Sequence, residues 1–409
     1  MHILLIHQAF TAVDEPGGTR HHEMARFLVE KGHRVSVIAS QVSYLTGSSS
    51  PEAQTRQESS GLKIWRAYTY QALHRSFFHR VLSFFSFMAS SFWIGLQIRD
   101  VDVVWGTSPP IFQGFTAWLL AALKRAPFLF EVRDLWPAFA IQVGVLRSGL
   151  LIALSEWLER FLYRRARRVM VNSPGFISHV QARGAGKVEL VPNGADPEMF
   201  DPQTSGEPFR QANGLTGKFV VLYAGAHGMS NDLEVALDAA ALLAAGQKPE
   251  GPEITLVLLG AGKEKAALQS RAQEMQLKNV VFLPPVPKVE MAGALAAADV
   301  CLAILKPIPL YATVYPNKVF DYMAAGKPVA LAIDGVIRQT VETAQAGLFV
   351  QPGSPAALAQ AVQYLADNPA EGQAMGRRGR QYVETHFDRR VMAAQLETIF
   401  IELTRKQRT

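Results

Sequence analysis

The sequence predicts an α/β chain of two doubly wound parallel sheets, and three observations carry that expectation. Short apolar runs suited to burial on both faces alternate with segments of helical period, the pattern of parallel βα units. The pattern starts twice, each time as an apolar run, a glycine-containing turn and a helical segment. Finally, 409 residues with 49% apolar content exceed one ordinary core, so two domains are expected.

In the first half, Ile3-Leu4-Leu5-Ile6 reads as a strand leading through Pro16-Gly17-Gly18-Thr19 into a helix that closes at Gly32. Val35-Ser36-Val37-Ile38 is the next strand, followed by strands at 101–105, 127–132, 168–171 and 188–191. Helices are expected over 81–96 and 150–168. A polar stretch, 201–217, separates the halves. In the second half, Phe219-Val220-Val221-Leu222-Tyr223 leads through Gly225-Ala226-His227-Gly228 into an Ala-rich helix from Leu233 to Ala245. Strands follow at 254–259, 280–283, 300–304 and 328–332. Val391, Leu396, Ile399 and Phe400 give the final segment, 387–403, a helical apolar stripe.

Composition narrows the chemistry. A single cysteine, Cys301, excludes a disulfide scaffold and a cysteine-based metal cluster. The opening MHILLIHQAF has neither the basic start nor the apolar length of a secretory signal, so a cytoplasmic location is expected. The net charge of +6 lies wholly in residues 1–200, with 21 Lys/Arg against 15 Asp/Glu, while residues 201–409 carry 20 of each. A basic half invites an anionic partner.

In doubly wound sheets, ligands sit outside the carboxyl ends of the strands, at helix N-termini. Asp100-Val101-Asp102 has the spacing of a metal-binding pair but precedes its strand, at the wrong end of the sheet. Gly260-Ala261-Gly262 stands at the correct end without a third glycine, and reads equally as a plain turn. Gly17-Gly18 lies where a backbone without Cβ atoms approaches a diphosphate, or simply turns tightly.

Several segments, taken in order, carry a family resemblance: Glu15-Pro16-Gly17-Gly18-Thr19-Arg20, Glu131-Val132-Arg133-Asp134-Leu135-Trp136-Pro137, Val191-Pro192-Asn193-Gly194-Ala195-Asp196, the Tyr223–Gly228 stretch, and Tyr315-Pro316-Asn317-Lys318-Val319-Phe320-Asp321 with Ala346-Gly347-Leu348. The sequence resembles family 4 glycosyltransferases of the GT-B fold, in particular bacterial capsule and O-antigen enzymes of the L-fucosamine transferase type. That resemblance implies two Rossmann-like domains facing a central cleft: 1–203 for the acceptor, 204–385 for the nucleotide sugar, and 386–409 as a helix crossing back to the first. It implies a retaining transfer without metal or other cofactor. The donor is a nucleoside diphosphate sugar, UDP-linked by resemblance, and the acceptor a polyprenyl-diphosphate-linked glycan.

Site residues follow by position. Implied donor-binding residues are Gly17, Gly18, Gly225, His227, Thr313, Val314, Tyr315, Asn317, Lys318, Asp321 and Arg338. Family members carry an acidic pair eight residues apart; here the second is Asp321, for the ribose hydroxyls, and the first is Thr313, which suits a deoxy or less polar sugar such as an N-acetylated deoxyhexosamine. Ala226 and Asn231 replace the usual Arg and Lys, leaving Lys318, Arg338 and His227 to meet the phosphate charge. Lys318 and Asp321, three residues apart, share a helical face. Asp134 is the candidate for orienting or deprotonating the acceptor hydroxyl, and Arg133 for holding an acceptor anion. The competing reading of these two is an Arg–Asp pair bracing the loop under Trp136. Glu131, nearer the strand, reads as structural.

Residues 74–99 are aromatic with a basic start, and their uncharged core is shorter than the roughly 20 residues of a spanning helix. With Arg164-Arg165-Ala166-Arg167-Arg168 they suit peripheral contact with the inner membrane face. A helix buried on the sheet is the alternative. Aromatic and basic residues are not interleaved as a nucleic-acid stacking platform requires. Two other functions share the architecture: a nucleotide-sugar 2-epimerase, and a non-catalytic sugar-nucleotide binding protein.

Overall fold

The computed structural model describes residues 1–11, 18–42, 55–57, 59–71, 77–247 and 250–405. Contacts divide them into two units, the first comprising 1–11, 18–192 and 390–405 and the second 193–389. Gly17 and residues 74–76 lie outside the described residues.

The first unit is an eight-stranded sheet ordered β3-β4-β2-β1-β5-β6-β7-β8, parallel except where β3 pairs antiparallel with β4. Its strands are β1 (His2–Ile6), β2 (Arg34–Ser40), β3 (Thr55–Gln57), β4 (Leu62–Ala67), β5 (Val103–Ser108), β6 (Phe128–Val132), β7 (Arg168–Val171) and β8 (Val188–Leu190). The central strands β1, β5, β6 and β7 are buried throughout, as their largely apolar runs require of strands covered on both faces. Helices α1 (Arg20–Glu30), α2 (Phe77–Gln97), α3 (Phe112–Lys124), α4 (Ala138–Gln142), α5 (Gly149–Arg165) and α6 (Ile177–Ala182) connect them. The Asp100–Asp102 turn is structural: Asp102 Oδ2 accepts the His2 amide at 2.7 Å, tying β5 to β1 at their amino ends.

The second unit is a six-stranded, wholly parallel sheet ordered β11-β10-β9-β12-β13-β14. Its strands are β9 (Phe219–Ala224), β10 (Ile254–Leu259), β11 (Val280–Leu283), β12 (Val300–Ile304), β13 (Val329–Ala332) and β14 (Gly347–Phe349). Its helices are α7 (Glu207–Ala212), α8 (Leu233–Ala245), α9 (Lys265–Glu274), α10 (Met291–Ala296), α11 (Asn317–Ala324), α12 (Val336–Thr343), α13 (Pro355–Asp367) and α14 (Pro369–His386). Apolar cores cover both sheet faces.

The last helix, α15 (Arg389–Arg405), returns to the first unit. Leu396, Ile399, Phe400 and Leu403 enter the core beside Trp105, with the Phe400 ring edge-on to the indole at 5.7 Å. Each such side chain contributes about 1.5–3 kcal/mol when buried, enough to hold the helix there.

In each sheet the strand order reverses once, at β1/β5 and at β9/β12. A doubly wound sheet opens its crevice at the carboxyl ends of such a pair.

Candidate functional site

At the β1/β5 switch of the first unit, His7 follows β1 and donates through Nδ1 to Thr107 Oγ1 at 2.8 Å. Gln113 Nε2 donates to the same hydroxyl at 3.0 Å, and Gln113 Oε1 accepts the Gln8 amide at 2.6 Å. Arg133 Nη1, beyond β6, lies 3.2 Å from His7 Nε2, which must therefore accept. Burial, with His21, Arg133 and Arg20 nearby, holds His7 well below its ordinary pKa and keeps the ring neutral.

Beneath it lies Glu131, fully buried at the end of β6. It accepts from Arg20, from His21 Nε2 at 2.8 Å and from Trp105 Nε1 at 2.9 Å. Burial alone would raise this carboxyl; Arg20 and His21 overcome that and hold it at about 2. Burial takes His21 down to about 4 despite its acidic partner. Arg20 also donates to the Val191 carbonyl at 3.0 Å, so the network ties α1, β5, β6 and the end of β8 together. Glu131 is the brace under the switch point.

Asp134 is different. Burial raises its pKa to about 7, against the Arg133 charge and a hydrogen bond from the Leu135 amide, although part of the residue stays accessible. A carboxyl that titrates near neutrality, beside a guanidinium and at the carboxyl end of the sheet, suits proton transfer. Gly18, the one described glycine of its pair, is exposed, with open space where a Cβ would stand.

At the β9/β12 switch of the second unit, the loop after β9 is pinned by the loop after β10. The Gly225 amide donates to the Leu259 carbonyl and the His227 amide to the Ala261 carbonyl, both at 2.9 Å. A Cβ on Gly260 would stand 1.9 Å from the Gly225 carbonyl oxygen, and one on Gly262 2.3 Å from that of His227. These two glycines are thus required by loop-on-loop packing. His227 is fully buried, and neither ring nitrogen has a hydrogen-bond partner among the described residues. Burial, helped by Lys265 and Lys318, lowers it to about 4.

Helix α11 supplies the other half. Lys318 Nζ sits 3.7 Å from the centre of the Tyr223 ring, against Gly225, where a Cβ would come within 2.9 Å of the ammonium. No described carboxylate pairs with it, and burial lowers its pKa to about 7. One turn on, Asp321 pairs through Oδ2 with Lys288, while its Oδ1 is buried without a partner. Lys288, beyond β11, was not anticipated from the sequence.

The remaining predicted donor residues are placed less centrally. Thr313 donates to the Leu310 carbonyl at 2.6 Å, at the end of a 3-10 turn that Val314 caps. Tyr315 packs its ring on Phe320 and Phe387, and its hydroxyl accepts from Thr340 at 3.0 Å. Asn317 opens α11, where free amides and the helix dipole favour an anion. Arg338, on α12, is paired with Glu342 and Asp334 and lies over the Phe349 ring. The structure therefore brings Gly225, His227, Lys318 and Asp321 together and commits Arg338 to other partners. Among the described residues, no three His, Cys, Asp or Glu side chains gather as a metal set.

Comparisons with known proteins agree with this architecture. WcaI of Escherichia coli (strain K12), whose name assigns it to colanic acid biosynthesis as a glycosyl transferase, is 24% identical over 383 residues, 90% of this chain and 91% of the relative. Among solved structures, sucrose-phosphate synthase from Thermosynechococcus elongatus superposes with a TM-score of 0.79 at 21% identity, covering 98% of each chain. HepE from Anabaena, solved in complex with UDP and glucose, gives 0.72 at 16% identity, covering 98% of this chain and 100% of that one. These likenesses establish two Rossmann-like domains of the GT-B type. Residues 17–194 match the family model described as "Glycosyl transferase 4-like domain" and residues 218–368 the one described as "Glycosyl transferases group 1", so the chain belongs to the glycosyltransferases, with one such domain in each half.

Proposed function

We propose that the chain transfers a sugar from a nucleoside diphosphate, UDP, to a glycan carried on a polyprenyl diphosphate, during synthesis of a bacterial surface polysaccharide. The observation that carries the donor half is the pairing on α11 of an ammonium with no carboxylate partner among the described residues and, one turn on, a carboxylate whose buried Oδ1 is unpartnered among them. A diphosphate supplies the counter-charge for Lys318, together with the first amides of α11. A ribose hydroxyl supplies the donor that Asp321 Oδ1 lacks. The neutral His227 ring, through its one N–H, and the side-chain-free surface of Gly225 complete the phosphate surroundings. HepE, of the same fold, binds UDP and glucose, and WcaI is named for polysaccharide synthesis; both support this reading.

In the transfer, the bond between the sugar's anomeric carbon and the diphosphate oxygen breaks, and its electron pair leaves with the diphosphate. The acceptor hydroxyl oxygen forms the new bond on the same face of the sugar, giving retention, and Asp134 takes the hydroxyl proton. The cationic transition state calls for stabilisation of the departing charge, which Lys318 and the α11 N-terminus provide without a metal. Arg133 holds an anionic group of the acceptor, and Thr313 favours a deoxy sugar over one with a full set of hydroxyls.

Thermal-shift measurements with nucleoside diphosphates and their sugars test the donor site. UDP compounds are expected to give the largest shift, and Asp321→Asn or Lys318→Met to remove most of it. An unchanged shift in both variants would refute the assignment. Turnover of the donor alone to an epimer would point instead to a 2-epimerase.

A further inference from the structure

Three neighbouring helices of the first unit turn apolar side chains away from the core. On α2 the outward stripe is Leu82, Phe85, Ala89, Trp93 and Leu96, with Phe85 51% and Trp93 65% exposed. Three of its serines are bonded or buried within the unit. Ser86 Oγ accepts the Tyr70 amide at 2.8 Å, Ser90 donates to the Tyr68 carbonyl at 2.6 Å, and Ser91 is fully buried. An ordinary surface helix has the opposite arrangement.

The same inversion holds for α5. Leu150 (71% exposed), Leu154 and Trp157 (58%) stand outward at helical spacing and continue through Phe161 to Arg164 and Arg165. The acid at position 159 is instead fully buried, held by Tyr163, His179 and Arg183. Between them, α3 presents Phe112, Phe115, Trp118 and Leu123, so the surface is continuous. Phe112 lies 5.5 Å from Phe84 and 5.7 Å from Phe85 across to α2, and Trp118 lies 4.7 Å from Phe161 across to α5. Single exposed apolar residues need no explanation, but a face running over three helices does.

We propose that this face lies flat on a bilayer containing anionic lipids. Trp and Phe side chains suit the boundary between headgroups and acyl chains. Exposed Arg164, Arg165 and Arg167 have no carboxylate partner among the described residues, and Arg165 stacks over Phe161 at 5.5 Å; they end the α5 stripe as lipid phosphates require. The +6 excess of residues 1–200 has the matching sign. Among the described residues α2 and α3 carry no carboxylate to offer the arginine end of a second copy, which disfavours self-pairing. No described helix is long and apolar enough to cross a membrane, so the contact is interfacial.

The face also reaches the acceptor loop: Phe112 contacts Trp136 at 5.7 Å, two residues beyond Asp134. An acceptor carried on a membrane lipid then arrives from the plane of the bilayer beside Asp134. This last step rests on the transferase reading, while membrane binding does not.

Flotation of the full chain with phosphatidylglycerol–phosphatidylcholine vesicles, and with phosphatidylcholine alone, tests the proposal. Binding to the anionic vesicles is expected at low salt, falling at high salt. The pair Leu154→Glu and Trp157→Glu should lower partitioning roughly tenfold or more, as should Trp93→Glu separately. Leu242→Glu, exposed on α8 of the second unit, should change nothing. All four substitutions are at exposed positions, and an unchanged melting temperature and UDP shift confirm that each variant is folded. Wild-type protein left unbound at low salt overturns the proposal, as do face variants that float like wild type. A dimer in sedimentation that the face variants abolish, without vesicle binding, assigns the face to a second copy and also overturns it.

Discussion

Donor affinity should depend on pH through one group, Lys318. In the free protein its ammonium loses its proton at about 7, because burial beside Tyr223 and Gly225 costs the charged form solvation that no described carboxylate returns. A bound diphosphate returns that stabilisation and moves the pKa back toward the ordinary lysine value of 10.5. Below about pH 7 the site is already charged and affinity is flat. Above it, about a tenth of free sites remain charged at pH 8 and about a hundredth at pH 9, so Kd rises about tenfold per unit. The ceiling over two units is about 2.7 kcal/mol, and solvent reaching the half-buried side chain keeps the observed change below it. Calorimetry with UDP-glucose isolates the effect, because its diphosphate diester has no proton to lose across this range. Uptake approaching one proton per donor bound is expected near pH 8, in proportion to buffer ionisation enthalpy. The free protein shows the opposite trend. A lysine depressed in the fold disfavours folding below its folded pKa, so this contribution to stability improves as pH rises above about 7. Lys318→Met should abolish both slopes and weaken binding about 10- to 150-fold at pH 6. A pH-independent Kd in wild type, or proton uptake surviving in Lys318→Met, would refute the reasoning.

Other consequences concern single positions. Glu131→Ala leaves the Arg20 charge and the His21 and Trp105 N–H groups without their acceptor, and should cost about 3–5 kcal/mol in urea unfolding of the first unit. In wild type the Glu131 contribution is fully present above the ordinary glutamate pKa and is lost as pH falls toward about 2. Asp134→Asn should lower kcat about 10²- to 10⁴-fold while leaving the calorimetric donor Kd unchanged, since it removes a proton acceptor and no donor contact. Gly262→Ala drives a methyl group into the His227 carbonyl and should destabilise the second unit by about 1–3 kcal/mol, with weaker donor binding. A variant as stable as wild type would show that the His227 loop is not held as described.

Strands buried on both faces were readable because burial demands unbroken apolar runs, and the central strands of both sheets fall within such runs. At one side of each sheet, β3 and β4 in the first and β14 in the second, they were not, although the edge strands β8 and β11 on the other side fall within expected runs. In β4, Leu62, Ile64 and Ala67 are buried while Lys63, Trp65 and Arg66 stay partly accessible, so no continuous run marks it. Three-residue β14 is too short to show a period. Of the site, His227, Lys318 and Asp321 were legible because they lie within local motifs. Lys288, 33 residues from Asp321, and Arg20, 111 residues from Glu131, depend on strand order, which sequence periodicity does not encode. A faint signal did exist for the brace: Arg20-His21-His22 opens α1, and all three are buried. The orientation of α2 was hidden for a related reason. Serines at helical spacing mark a polar face, but only the Tyr68–Tyr70 backbone shows that Ser86 and Ser90 are bonded to the chain while the apolar stripe is left exposed.

The two titrating groups impose opposite requirements, which separates binding from chemistry. In the proposed transfer Lys318 must be protonated to hold the donor and Asp134 ionised to accept a proton, and both turn over at about 7 in the free protein. At that pH only about a quarter of molecules carry both groups in the required state, because each is about half populated. The profile of kcat/KM, which reports the free enzyme, is therefore bell-shaped and narrow around neutrality. Donor binding lifts the Lys318 limb to higher pH and leaves Asp134 where it was. Under saturating donor, kcat should rise through the Asp134 limb and stay level above it, for as long as the diphosphate keeps the ammonium charged. A transferase built this way loses donor affinity in alkali before it loses its chemistry. The descending limb of kcat/KM then belongs to the second unit and the ascending limb to the first, and Lys318→Met and Asp134→Asn should each remove its own.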